Sequence, residues 1–199
     1  MPHRKTIIDC IRHGEPLGGR MYRGSGTDHL LSEPGWTQMH EQIETHLRIH
    51  SIWDVVITSP MSRCLDFAED VKKEYRLPCE IVYDFREASY GVWEGLTPDE
   101  VKEKFGRKYT DFYKDPVNNR PKGAESLYEF SERVATSLEK VFKKYKGKRI
   151  LLISHAGVMR AMMCIVLKTP LASQQQIHIP YAGMVQLIEE KRGRRISIL

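Results

Sequence analysis

The sequence predicts an α/β protein with a mostly parallel central sheet and helices on both faces, and three observations predict it. Short β-rich apolar runs alternate with segments whose apolar residues recur every three or four positions. Most of those runs are apolar nearly throughout, as strands covered on both sides are. Each is followed by polar, charged or turn-forming residues, the pattern of an open sheet whose loops gather beyond one edge.

In chain order, TIIDCI (6–11) is the first strand. Ser32-Glu33-Pro34 is a helix start signal, and the helix it opens turns Trp36, Met39, Ile43 and Leu47 to one face. DVVIT (54–58) is the second strand, and the helix after Ser59-Pro60 turns Leu65, Ala68, Val71 and Tyr75 inward. EIVYD (80–84) is the third strand. From about 97 to 123 the pattern breaks: TPDEVKEKFG reads as a short helix and DPVNNRPKG as loop, so a lid or crossover insertion is expected there. The clearest helix, about 126–145, buries Leu127, Phe130, Val134, Leu138, Val141 and Phe142, and Ser126 with Glu129 fits a capping box. RILLIS (149–154) is the fourth strand, followed by a helix, about 157–167, that is apolar nearly all round. MVQLIEE and RRISIL are two closing strands joined by a tight turn.

A length of 199 residues fits one domain, 1–199, and 41% hydrophobic with 29% charged residues excludes a disordered or fibrous chain. No apolar stretch approaches the roughly 20 residues that span a bilayer, and MPHRKTIIDC lacks a signal-peptide core, so a cytoplasmic protein without a membrane partner is expected. Cys10, Cys64, Cys79 and Cys164 show neither CxxC spacing nor paired histidines, which predicts reduced, structural cysteines, no metal and no cofactor. The net charge of +5 alone does not separate an anionic small molecule from an acidic partner or nucleic acid. The basic clusters at 143–149 and 191–195 fall at a helix end and a hairpin turn and carry no interleaved aromatics for base stacking, so a solvated surface is expected and no nucleic acid.

The residues after the strands carry the chemistry. Arg12 and His13 follow the first strand, Arg63 lies after the second, Glu87 after the third and His155 after the fourth. Two arginines with histidine donors suit a tetrahedral dianion, which points to phosphate. A neutral imidazole, His13 or His155, can attack phosphorus while the arginines neutralise the equatorial oxygens in place of a metal. Glu87, if buried enough to hold a proton, can give it to the leaving alkoxide and later take one from water. Each residue also has a plainer reading: histidines bonded to backbone, Arg63 paired with Asp66 at i+3, Glu87 capping the following turn.

The motifs resemble the histidine phosphatase superfamily, in the branch that includes the cofactor-dependent phosphoglycerate mutases. Arg12-His13-Gly14-Glu15 matches its RHGE signature, and LLSEPGWTQ (30–38), TSPMSR (58–63), EASYGVWEG (87–95), KGAES (122–126) and SHAGVMR (154–160) follow in order. The resemblance implies a phosphohistidine at His13, a phosphoryl clamp of Arg12, Arg63 and His155, Glu87 as general acid and base, Arg23 and Tyr90 as substrate contacts, and no metal. Where the family often has an asparagine six residues after the histidine, this chain has Gly19, so backbone amides near Gly18 and Gly19 are candidates for that contact. The short interval from Gly95 to Lys122 favours a phosphatase over a mutase, and length and the second motif look most like the α-ribazole phosphatase group, of cobalamin nucleotide-loop assembly. The expected partner is a small-molecule phosphomonoester, acted on by a monomer or homodimer. The alternatives are a phosphoglycerate mutase or sugar bisphosphatase and, in another class, a non-catalytic phosphate-binding or interaction module.

Overall fold

The computed structural model describes residues 5–199; the first four, part of the MPHRKTIIDC stretch weighed above, lie outside it. Six strands form one sheet in the order β3-β2-β4-β1-β5-β6. They are β1 (Thr6–Arg12), β2 (Val55–Thr58), β3 (Cys79–Ile81), β4 (Arg149–Ser154), β5 (Met184–Glu190) and β6 (Gly193–Ile198). The first four in the order run parallel, β5 is antiparallel to β1, and β6 closes a hairpin on β5. Helices are α1 (Glu33–Leu47), α2 (Ser62–Tyr75), α3 (Pro98–Phe105), α4 (Arg107–Lys114), α5 (Leu127–Lys144) and α6 (Ala156–Leu167).

Alternation along the central strands explains the layers. In β4, Ile150 and Leu152 face the apolar layer formed with α5 and α6, while Leu151 and Ile153 face the layer formed with α1 and α2. Val55 and Ile57 oppose Val56 in the same way along β2. Burial on both faces is what made these runs continuously apolar.

Helix starts follow their capping chemistry. Ser32 accepts from the Gly35 amide ahead of α1, and Ser126 and Glu129 close the expected capping box on α5. Two sequence expectations need correction. The third strand runs from Cys79 to Ile81, and Tyr83–Phe85 form a 3-10 turn, because β3 is an edge strand whose end, at Ile81, and the following Tyr83 are exposed. On α2 it is Arg63, Cys64 and Phe67, with Ala68 and Val71, that point inward, whereas Leu65 is only half-buried. The helix lies rotated toward the site so as to bury Arg63.

The segment expected as an insertion contains two helices, α3 and α4. Val101 and Phe112 pack with Tyr22 and Trp93 into an apolar cluster apart from the two main layers. Many basic side chains of the two charge clusters are ion-paired: Lys144 with Glu80, Lys148 with Asp54, Arg194 with Glu139 and Glu189, and Arg195 with Glu190. No helix is long and apolar enough to cross a membrane among the described residues, and all four cysteines are free thiols.

Toward the amino ends of the strands, Asp9 is fully buried and accepts from Trp53 Nε1 (2.7 Å), Arg149 Nε (2.8 Å) and Gln186 Nε2 (2.8 Å), with His46 at 3.2 Å. Burial alone would raise its pKa. The hydrogen bonds to His46 and Gln186 and the charge of Arg149 outweigh burial and hold it below the ordinary 3.8. A depressed carboxylate pKa stabilises the fold above the unfolded value and loses that contribution as pH falls through the folded one, so Asp9 contributes above about pH 4. Asp9→Ala strands Arg149 and the other donors, and urea titration should show a loss of about 3–5 kcal/mol. A loss under about 1 kcal/mol would mean that the network does not hold the sheet.

Candidate active site

The four parallel strands deliver their following residues to one edge. Arg12 ends β1 and His13 follows it. Arg63 is the second residue of α2, reached from β2; Glu87 follows the 3-10 turn after β3; His155 is the N-cap of α6, directly after β4. Because β3, β2, β4 and β1 are adjacent, all five expected side chains converge.

His13 is 6% exposed, and its ring lies 5.3 Å from that of His155, centroid to centroid. Its Nδ1 is 2.7 Å from the Gly14 carbonyl, an atom that can only accept, so Nδ1 carries the proton and Nε2 the lone pair. Burial, then Arg63 and Arg12, hold the His13 pKa well below the usual histidine range. The imidazole is therefore neutral at neutral pH. His155 is fully buried and its pKa is depressed by burial, Arg63, His13 and Arg12. Ser59 Oγ accepts from the Met61 amide (3.3 Å) and shares a hydrogen bond of 2.7 Å with His155 Nε2.

Arg12 donates through one terminal nitrogen to the Ile179 carbonyl (2.7 Å), and its guanidinium lies 4.1 Å above the Tyr181 ring. Arg63 is wholly buried; its NH1 reaches the Thr27 carbonyl (3.1 Å) and Asp28 (3.6 Å). Asp28, not Asp66, is its partner, because Asp66 points to solvent. Arg12 Nε and Arg63 Nε and NH2 have no acceptor among the described residues. Buried donors without acceptors cost about 1–3 kcal/mol each, and together these suit the oxygens of one anion.

Glu87 is 8% exposed, and its two carboxylate oxygens accept from the Ala88 amide (2.9 Å) and the Gly157 amide (3.0 Å). The turn-capping contact and the cavity-lining position thus coexist. A Cβ at position 157 would fall 2.2 Å from Glu87 Oε1, so only glycine lets the first turn of α6 meet the carboxylate. Gly157→Ala should displace Glu87 and lower kcat at least about 10-fold at nearly unchanged thermal stability; unchanged kcat would show that the contact is dispensable. From α5, Arg133 donates to the carbonyls of Asp84, Arg86 (2.9 Å) and Glu87 (3.2 Å), and Glu125 holds its guanidinium at 2.6 and 2.8 Å. This clamp fixes the backbone that carries Glu87.

A cavity of about 190 Å³ opens over this edge, lined by Arg12, His13, Glu87 and Gly157 on its floor and by Arg23, Tyr90 and other side chains above. Arg63 and His155 lie beneath rather than in the lining. Arg23 is held by the carbonyls of Leu17 (2.6 Å) and Gly19 (2.9 Å) and by His29 Nδ1 (3.1 Å). Tyr90 packs against Tyr22, with Arg120 over its ring at 5.1 Å. Gly18 and Gly19, expected to offer amides to phosphate, do not line the cavity; the Gly19 carbonyl positions Arg23 instead. Sequence reasoning did not single out Arg20, Tyr113, Arg160 and Tyr181, which also line the cavity, or the Arg133 clamp. Arg160 ends the SHAGVMR motif, the one signal that pointed to it.

The profile of the histidine phosphatase superfamily (branch 1) matches residues 8–199. The Bacillus subtilis protein named uncharacterized phosphatase PhoE is 30% identical over 159 residues, 79% of this chain and 76% of its own length. Phosphoserine phosphatase 1 of Hydrogenobacter thermophilus is 30% identical over 165 residues, 81% of this chain and 76% of its own length. In three dimensions, a putative α-ribazole-5′-P phosphatase from Escherichia coli superposes with a TM-score of 0.84 at 21% identity, over 98% of this chain and 95% of that one, a likeness of fold. With the profile spanning nearly the whole sheet and every strand that carries the site, this chain belongs to the histidine phosphatase superfamily, branch 1.

Proposed function

We propose that the protein hydrolyses small-molecule phosphomonoesters through a phosphohistidine at His13. The observation that carries this reading is the neutral His13, tied through Nδ1 to a carbonyl, beside buried arginine donors that have no acceptor among the described residues. His13 Nε2 attacks phosphorus, the bond from phosphorus to the leaving oxygen breaks, and that oxygen takes a proton from Glu87. Arg12 and Arg63 neutralise the equatorial oxygens through both steps, and His155, an uncharged imidazole, completes the clamp by hydrogen bonding. Water then attacks phosphorus, gives a proton to Glu87 and breaks the P–N bond, which frees phosphate and restores His13. Arg23 and Tyr90 contact the leaving group from the wall. The short interval between Gly95 and Lys122 supports transfer to water rather than to a retained acceptor, as in a mutase.

The test is phosphate release by the purified protein, in EDTA, from α-ribazole 5′-phosphate, other nucleoside monophosphates, sugar phosphates, phosphoserine, 3-phosphoglycerate and p-nitrophenyl phosphate. α-Ribazole 5′-phosphate enters as the substrate that the sequence resemblance suggests. Release that EDTA does not diminish is expected. No release from any ester, with phosphoryl exchange between phosphoglycerates, would establish a mutase instead.

A further inference from the structure

The two arginines that face the phosphoryl position are held in different ways. Arg63 has Asp28 at 3.6 Å, whereas Arg12 has no ion-pair partner among the described residues. A carboxylate against Arg12 would take the donors and offset the charge that a phosphoryl group needs. The segment before β5 restrains Arg12 instead. The Ile179 carbonyl accepts from one terminal nitrogen at 2.7 Å, and two residues further on the Tyr181 ring centroid lies 4.1 Å from the guanidinium carbon. The faces of a guanidinium carry no N–H, so a ring stacked on one of them restrains the plane and leaves the in-plane donors to oxygen atoms. Arg12 Nε is accordingly still without an acceptor.

Tyr181 is in turn fixed by the residues it serves. The Gly183 amide donates to the Pro180 carbonyl (3.0 Å) and closes a tight turn around Tyr181. The Ala182 amide donates to the His13 carbonyl (3.4 Å), and the Gly183 carbonyl accepts from the Arg12 amide (3.0 Å). Ala182 is buried at φ 54°, the left-handed region that a residue with a Cβ enters only where its surroundings impose it. The turn is thus registered on the backbone of Arg12 and His13. Its half-buried tyrosine lines the cavity, with its ring 5.9 Å from that of His13, centroid to centroid.

We propose that Tyr181 is a positioning residue for the phosphoryl clamp: its ring, stacked on the Arg12 guanidinium, holds that cation in register with His13 without neutralising it. The proposal rests on the phosphomonoesterase reading above and adds a residue that acts, through Arg12, on the group every ester shares. The ring carries the role and the hydroxyl does not.

The test measures kcat/KM for p-nitrophenyl phosphate and phosphoserine. Tyr181→Leu should lower both by about 10-fold or more, and by equal factors, because Arg12 touches only the phosphoryl group. Tyr181→Gln takes its place if the leucine variant does not fold. Tyr181→Phe, which keeps the ring, should recover all but about 3-fold of the loss. In an Arg12→Gln background, Tyr181→Leu should cost no more than about 2-fold further, since a residue that acts through Arg12 has nothing left to position. A residue that only supported the fold would show neither the rescue nor the dependence on Arg12. Activity of Tyr181→Leu near that of the wild type, a loss confined to one ester, an equal loss in Tyr181→Phe, or a full further loss in the Arg12→Gln background would each overturn the proposal and leave the hydrolase reading standing. Absence of release from p-nitrophenyl phosphate by the wild-type protein would overturn the hydrolase reading and this proposal with it.

Discussion

Replacing His13 with alanine should reduce phosphate release from every ester by about 10⁴-fold or more, the scale on which removal of a covalent nucleophile is felt. No second group can take over. His155 Nε2 is engaged by Ser59, and no cysteine lines the cavity. The same reading fixes a pH profile. Nucleophilic His13 must be neutral, and in the free protein its pKa lies well below the usual 6.5, so the His13→Ala-sensitive activity should show no loss from histidine protonation near pH 6.5, beyond that of the ester's own second ionisation at about 6, until pH drops through the depressed value. A quenched reaction should trap an acid-labile, base-stable phosphoprotein in the wild type and none in His13→Ala. A variant that keeps a tenth of the activity, or still traps the phosphoprotein, would move the nucleophile elsewhere.

Glu87→Gln should cost about 10²–10⁴-fold on alkyl phosphates, whose leaving alkoxides are strong bases, and far less on p-nitrophenyl phosphate, whose leaving group departs without a proton. Comparing two substrates in one variant matters here. Both Glu87 oxygens accept backbone amides, and glutamine can match only one, so some local displacement will slow all esters alike. The proton-transfer role is the part of the loss that depends on the leaving group. Equal losses on both esters would remove Glu87 from that role and leave it a residue that aligns α6 with the loop after β3.

Much of this was legible in the sequence because chemistry and fold share one rule. Buried parallel strands read as continuous apolar runs, and the polar residues just past their ends are forced to one edge; that is how Arg12, His13, Arg63, Glu87 and His155 were found. Residues placed by packing rather than by strand ends were not. Arg160 faces the cavity only because α6 takes one particular rotation against β4, and Tyr181 lies in the turn before β5. Arg133 reaches across 46 residues of sequence to the Glu87 carbonyl. The rotation of α2 buries Arg63 and half-exposes Leu65, and an apolar pattern does not encode the burial of a cation. Asp9 read as an ordinary polar interruption of β1, since its partners come from α1, the loop before β2, β4 and β5.

The Arg133 clamp also sorts the cavity wall into separate cooperative units. One wall, the loop from Asp84 to Ala88, is tied by a guanidinium to the longest helix of the main core, so it opens only when that core does. The facing wall, from α3 and α4, rests on the smaller Tyr22, Trp93, Val101 and Phe112 cluster. Native-state hydrogen exchange should therefore show amides of α4 exchanging through low-energy openings while the Ala88 and Gly157 amides exchange only with global unfolding; equal protection of both would mean a single unit. A wall that loosens opposite one that does not would admit and release esters without disturbing the proton donor, leaving the acid's alignment as durable as the fold itself.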